Sequence, residues 1–478
     1  MGSFILLMRN QNLECANDSQ AFRVHISRFR PESSQAPTIC ILNQDLRDFK
    51  MDHDTNHTDD LTDQERESLL ADAKECYDII SNRHNGKSYS DPRGARTKPN
   101  QRLVEVFGIS NAFTDRNCPK DFSDNATERM RAACKIEDKS YGEWTDLRTH
   151  AVEYLTEYLN RKSGGESIHL AELVQFITLK LSLSYLFENA NAAFESKEIF
   201  KDIVFIGSEI NILWSNSKKP DNERPRWKDQ HKLHEALHRV TTAEDSLEDL
   251  EKTITPEHNP LNYILPAYET MWRVVMRSFV EVQLRNAKNS PVWRIVLAKY
   301  LEKLKDPECM PGAFKEPLDD GICPIDIVKE GLRLYPPSRH VHREFDGETV
   351  IADIETCHRS KLLSGNDPLV FRPERWQQIL PEEREKASKA DQGGQSKKKD
   401  LKRSEEKLGF MPFAITCRAN RSDTRGFGMK MIVMLVAVLC NGLGDDWKVT
   451  EEGSLPSLGK ALESDREAYL DLTLEKMK

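Results

Sequence analysis

Apolar residues recur at helical spacing along much of the chain. From about residue 125 to 190 three such stretches follow one another, the clearest being Leu170 to Leu186, where Leu173, Phe176, Ile177, Leu181 and Tyr185 share one face. A longer stretch, Ile264 to Leu284, carries apolar residues at 264, 268, 271, 275, 279 and 282 and predicts a helix with one buried side. Pro266 falls inside it and predicts a kink, because proline removes a backbone hydrogen bond and opens the helix locally. Upstream, Thr62-Asp63-Gln64-Glu65 has the form of a capping box and predicts a helix running through Ile80. The first half is therefore expected to be predominantly helical.

The polar positions mark what is not core. Residues 1–60 are polar and irregular and predict a loosely ordered N-terminal segment. Ser215 to Lys232, rich in Asn, Lys, Pro and Arg, reads as a surface loop. Glu382 to Lys407 holds sixteen charged side chains in 26 residues and almost nothing to bury, so it predicts a charged surface insertion. At roughly 150 residues per domain a chain this long suggests about three domains. Without an internal repeat, 61–478 is read as a single domain that carries the 382–407 insertion.

Composition narrows the function classes. The charge balance is 69 − 78 = −9, with 31% charged and 38% hydrophobic residues, which describes a globular chain without the clustered Lys and Arg that nucleic acid requires. The longest apolar runs, Phe4 to Met8 and Met431 to Cys440, reach at most about half of the ~20 residues a spanning helix needs. No transmembrane anchor and no secretory signal are expected, which predicts a cytoplasmic location with at most peripheral attachment to the endoplasmic reticulum. The ten cysteines contain no CxxC pair and fit neither a zinc module nor a disulfide framework.

Candidate chemistry begins at Glu330-Gly331-Leu332-Arg333, a carboxylate and a guanidinium three residues apart on one helical face, ahead of Pro336-Pro337. Spacing alone makes this a surface ion pair worth roughly 0.3–0.5 kcal/mol. It is followed by Cys357-His358-Arg359 and by Phe371-Arg372-Pro373-Glu374-Arg375-Trp376. In that order these segments resemble the cytochrome P-450 superfamily of heme-thiolate monooxygenases, especially its filamentous-fungal members. The resemblance implies a mainly α fold with small β-sheets and a buried structural triad of Glu330, Arg333 and Arg375 behind the cofactor loop. It also makes Ile264 to Leu284 the central helix over the heme, with Glu269 and Thr270 as an acid–alcohol pair that hands on protons.

Gly409 to Arg421, running on to Ile432, resembles the heme-binding loop and its following helix. Counted from Phe413, the family's glycine positions fall on Ala414 and Thr416, its propionate-binding Arg on Arg418, and its iron ligand on Asn420. A second register makes Cys417 the axial thiolate. The two differ chemically, because a thiolate donates electron density to iron and favours oxygen–oxygen cleavage whereas a neutral amide does not. Arg131 and its neighbour Arg129 stand where a helix often supplies a heme propionate partner. Phe107, Ile109 and Phe113, within Arg102 to Thr114, resemble a segment that lines the substrate pocket.

The function implied is an oxygen-dependent monooxygenase acting on a small apolar terpenoid or polyketide intermediate of fungal secondary metabolism. Heme is the implied cofactor, and a separate NADPH-dependent cytochrome reductase the implied partner. Asn420 at the ligand position opens an alternative, a non-redox cyclisation or cycloaddition in the same kind of pocket. A catalytically inactive binding protein is the second alternative.

Overall fold

The computed structural model describes residues 61–111, 113–118, 141–162, 166–187, 196–242, 251, 254–306, 313–317, 321–388, 395–414, 426–451 and 453–477. The N-terminal segment 1–60, Arg129, Arg131 and the loop residues Thr416, Cys417, Arg418 and Asn420 lie outside them. The elements below all belong to one unit, Asp54–Lys478.

The chain opens with α1 (Asp63–Ile80), the short hairpin β1 (Arg83–His84) and β2 (Lys87–Ser88), and α2 (Gly94–Phe107). Then come α3 (Tyr141–Lys162), β3 (Ser167–His169), α4 (Leu170–Leu186), α5 (Lys197–Asn216) and α6 (His231–Thr241). The central helical run consists of α7 (Leu261–Ile264), a π-helical turn (Leu265–Glu269), α8 (Trp272–Phe279) and a second π-helical turn (Val280–Leu284). It is followed by α9 (Ser290–Lys303), α10 (Pro324–Leu334), the hairpin β4 (His340–Phe345) and β5 (Glu348–Asp353), α11 (Ile354–His358), α12 (Lys361–Ser364) and α13 (Arg375–Gln378). Helices α14 (Pro381–Ser388), α15 (Gln395–Lys407) and α16 (Phe427–Leu443) and strands β6 (Trp447–Val449) and β7 (Thr473–Lys476) complete it. The fold is mainly α, with small antiparallel sheets: β1 with β2, β4 with β5, and β7 between β3 and β6.

Local sequence explains the element starts. Thr62 accepts from the Glu65 amide at 3.2 Å while Glu65 takes the Thr62 amide at 3.0 Å, the reciprocal box expected for α1. Helix α10 starts at Pro324, where a missing N–H costs nothing, and Asp326 accepts the Cys323 amide at 3.1 Å. The expected kink in the central helix is the π-helical turn at Pro266.

Helices α3, α4, α8 and α16 pack together as the core bundle, with α9 and α10 also against α16. By length and composition Phe427–Asp446 could cross a membrane, a longer apolar stretch than Met431 to Cys440 suggested, but 67% of its apolar 18-residue window is buried inside this bundle. It is a core helix, hydrophobic all round because it has neighbours all round.

The charged segment 382–407, expected as a purely solvated insertion, contributes α15, which packs against α1. Glu405 is only 5% exposed and pairs with the equally buried Lys329 of α10 and with Arg384 at 3.4 Å. Composition could not reveal this, because one buried carboxylate suffices to anchor an otherwise solvated helix.

Candidate functional site

Helix α10 has its carboxylate on the inner face, where Glu330 and Arg333 are both fully buried. Arg333 holds Glu330 with one edge of its guanidinium, Nη2 at 2.8 Å and Nε at 3.0 Å, and Arg375 reaches the same carboxylate from α13 at 2.9 Å. The Trp376 indole N–H and the Arg372 amide complete its shell at 3.0 and 2.9 Å. Burial alone would push the Glu330 carboxyl up, but the two guanidiniums outweigh it and hold it down to about 2. The remaining guanidinium donors go to the intervening segment, mostly to its backbone carbonyls. Arg333 donates to Pro368 O at 2.9 Å and Val370 O at 3.1 Å; Arg375 donates to Ser364 O, to Val370 O at 3.0 Å and to the Asp367 carboxylate at 2.8 Å. Two cations, two carboxylates and a set of carbonyls thus fix a segment that has little secondary structure of its own.

A second anchor leads from this cluster toward the candidate heme loop. Fully buried His358, at the end of α11, lies 3.2 Å from Leu332 O through Nδ1 and accepts the Met411 amide at 2.8 Å through Nε2. Only the tautomer with its proton on Nδ1 satisfies both. Burial depresses this imidazole to about 3, so it is neutral at pH 7. Phe410 packs between the His358 and Trp376 rings, at 5.2 and 4.6 Å between centroids. The sequence placed His358 inside a quoted motif but assigned it no role; its partner lies 53 positions away, beyond the reach of spacing arguments.

The loop itself is described only to Ala414. Gly409 has φ +98°, and a Cβ there would stand 3.2 Å from Cys357 Cβ, so glycine serves close approach at this point. Phe413 lies against Gly428 at the start of α16. Ala414, at the first of the family's glycine positions, has φ +50°, the left-handed region where a Cβ is strained. Ala414→Gly is therefore expected to stabilise the protein by about 0.5–1 kcal/mol, the reverse of the usual Ala→Gly effect. Urea denaturation of the variant measures this, and a loss of stability would show that the left-handed turn is not strained.

Above α10, the central helix carries the expected pair Glu269 and Thr270. The Thr270 hydroxyl donates to Pro266 O at 2.8 Å, within the opened turn, and not to its neighbour. Glu269 is 3% exposed and fully engaged: Trp272 Nε1 donates to it at 3.1 Å, Arg273 stands at 3.4 Å, and Arg466 from the segment before β7 pairs with it directly. The acid and the alcohol are adjacent but serve different partners. Arg466 lies 197 positions from Glu269, and nothing in the local pattern indicated it.

The three candidate pocket residues are dispersed. Phe107 is fully buried against Trp214 at 5.6 Å and Ile109 is 4% exposed, whereas Phe113 is 44% exposed beneath the Arg96 guanidinium at 5.3 Å. In this structure Phe113 stands at the surface.

No family model matches the chain, and no curated protein does. Among solved structures, a cytochrome P-450 OleT variant in complex with arachidonic acid is similar, with a TM-score of 0.43 and 12% identity, covering 80% of this chain and 82% of that one. The ion pairs and loop anchors above, rather than that likeness, carry the functional reading.

Proposed function

We propose that this chain is a cytochrome P-450-like biosynthetic enzyme that binds heme in the loop between Phe413 and α16 and acts as a monooxygenase on a largely apolar terpenoid or polyketide intermediate. The observation that carries this reading is the buried Glu330–Arg333–Arg375 cluster, tied through His358 to the backbone at Met411 just ahead of Cys417. The backbone at the start of the loop fits such a group in conformation, because Ala414 takes the positive φ that a glycine supplies at this position in the family, while its Cβ remains. Cys417 would supply the axial thiolate, with Arg418 and Arg131 as propionate partners. Heme bound through a thiolate supplies oxygen activation, with electrons from a separate NADPH-dependent reductase. The protein's own part is to hold the substrate beneath the opened turn, where Thr270 keeps its proton on Oγ1, directed at Pro266 O.

One observation favours a second reading on the same fold. Glu269 has both carboxylate oxygens occupied, by Arg466, Arg273 and the Trp272 indole, and is not free to face a substrate. A non-redox cyclisation or cycloaddition, which needs only a folded substrate held in a reactive conformation, does not require it to be.

A reduced, carbon monoxide-bound difference spectrum decides between them, taken on protein expressed with heme precursor and on Cys417→Ala. A thiolate-type Soret band that disappears in the variant, with NADPH-dependent turnover in the wild type, is the expected result. Folded protein that takes up no heme overturns the redox reading in favour of the second.

A further inference from the structure

Cationic side chains from five separate segments lie in the neighbourhood of Arg466, which pairs with Glu269 in the opened turn of the central helix. They are Arg102 of α2, Lys218 just past α5, Arg273 of α8, Arg339 ahead of β4, and Arg466 before β7. Arg466 is the hub: its guanidinium pairs with Glu269 and lies 4.5 Å over the Trp214 ring, and Trp214 packs on Phe107 at the end of the helix that carries Arg102. Arg273 stands 3.4 Å from the same Glu269 and donates to Pro337 O at 3.2 Å. Arg339 pairs at 3.1 Å with Asp465, the residue beside Arg466.

The carboxylates do not match this charge. Among the described residues, Glu269, Asp465 and Glu355 are the acids paired with these cations, and Glu355 is shared, standing 2.7 Å from Arg359 and 3.9 Å from Arg339. Among the described residues neither Arg102 nor Lys218 has a carboxylate within ion-pair distance, and Arg102 Nε is buried without a hydrogen-bond partner. Burial and then the Arg466 charge lower Lys218 and push Arg273 down to about 9; burial, then Arg224 and Arg466, lower Arg102. Uncompensated charge near a protein interior is costly unless an anion completes it, and guanidinium forks match the oxygens of carboxylate and phosphate.

We propose that this cluster binds an anionic oxygen group, a carboxylate or a phosphate, at one end of an otherwise apolar substrate. The inference deepens the reading above and rests on its placing the substrate at this turn. Lys218 is exposed and Arg339 and Arg102 half-buried, so an anion can reach them, while Arg466 and Arg273 stand behind, holding Glu269.

The test titrates the full chain, heme-free and heme-loaded, with dodecanoate, dodecyl phosphate and dodecan-1-ol, followed by calorimetry and by Trp fluorescence. The anions are expected to bind about tenfold tighter than the alcohol, an advantage that shrinks with added salt. Arg102→Gln with Lys218→Gln is expected to abolish that advantage and leave the alcohol unchanged; neither substitution breaks an ion pair, so folding is not at issue. Preference for one anion over the other identifies the headgroup. Equal affinity for anion and alcohol, or an advantage that survives in the double variant, overturns the proposal. So does anion binding that is lost on heme loading, which would assign the cluster to the porphyrin's own propionates. Failure to take up heme overturns the redox reading alone, because the heme-free titration stands apart from it.

Discussion

Glu330→Ala is expected to destabilise the protein by about 3–5 kcal/mol, many times the cost of removing an exposed pair such as Lys74–Asp78. The difference lies in what remains. With the carboxylate gone, Arg333 and Arg375 stay fully buried with Asp367 as their nearest carboxylate, and the Trp376 indole and Arg372 amide lose their acceptor. An unsatisfied buried donor costs about 1–3 kcal/mol, and an unpaired buried charge costs more. Glu330→Gln separates the two contributions, since it restores an acceptor without the charge and should recover part of the loss. Urea denaturation followed by intrinsic fluorescence measures both variants. A loss under about 1 kcal/mol for Glu330→Ala would mean that the cluster merely fills space.

The second large effect is a dependence on acid that runs through His358. Its folded value of about 3 lies below the ordinary 6.5, so between those values the unfolded chain binds a proton that the folded one refuses. The stability contributed is fully present above pH 6.5 and is lost as pH falls toward 3. At about 1.36 kcal/mol per unit, lowering the pH to 5 removes about 2 kcal/mol. Glu330 acts in the same sense below its unfolded value, since its folded carboxyl is held at about 2. Glu281 and Asp326, raised by burial, act oppositely and flatten the overall profile. A variant comparison therefore isolates the imidazole. His358→Gln should be less stable than wild type at pH 7.5 by about 1–3 kcal/mol, because the Met411 amide and the Leu332 carbonyl lose a fitted partner. By pH 5 the gap should narrow by about 2 kcal/mol, as Gln does not titrate. A gap that is constant with pH would show that His358 is not held neutral.

The two effects meet at one place. Glu330 holds α13 and Arg372 just before it, and His358 holds the backbone at Met411, with Phe410 packed between His358 and Trp376, so acid and triad variants should both loosen Phe410–Ala414 first. Heme uptake, where it occurs, should be lost in Glu330→Ala before the helical bundle melts.

What the sequence by itself determined is what neighbours in the chain decide. The capping box at Thr62, the helix Leu170–Leu186 and the opened turn at Pro266 each depend on residues within a turn or two, and each stands in the fold as expected, although Leu170–Leu186 is buried on nearly every side rather than on one face. The grouping of Glu330, Arg333 and Arg375 was legible only through motif order, since spacing alone described a weak surface pair; that it is fully buried follows from α13 folding back onto α10. The tertiary structure alone decided the state of the candidate site. Glu269 is paired with an arginine 197 positions away, and His358 is fixed by an amide 53 positions away. The five cations come from segments between Arg102 and Arg466 that share no local pattern. Electrostatic environment is a property of space, and charges separated along the chain exchange water for one another only when packing brings them together.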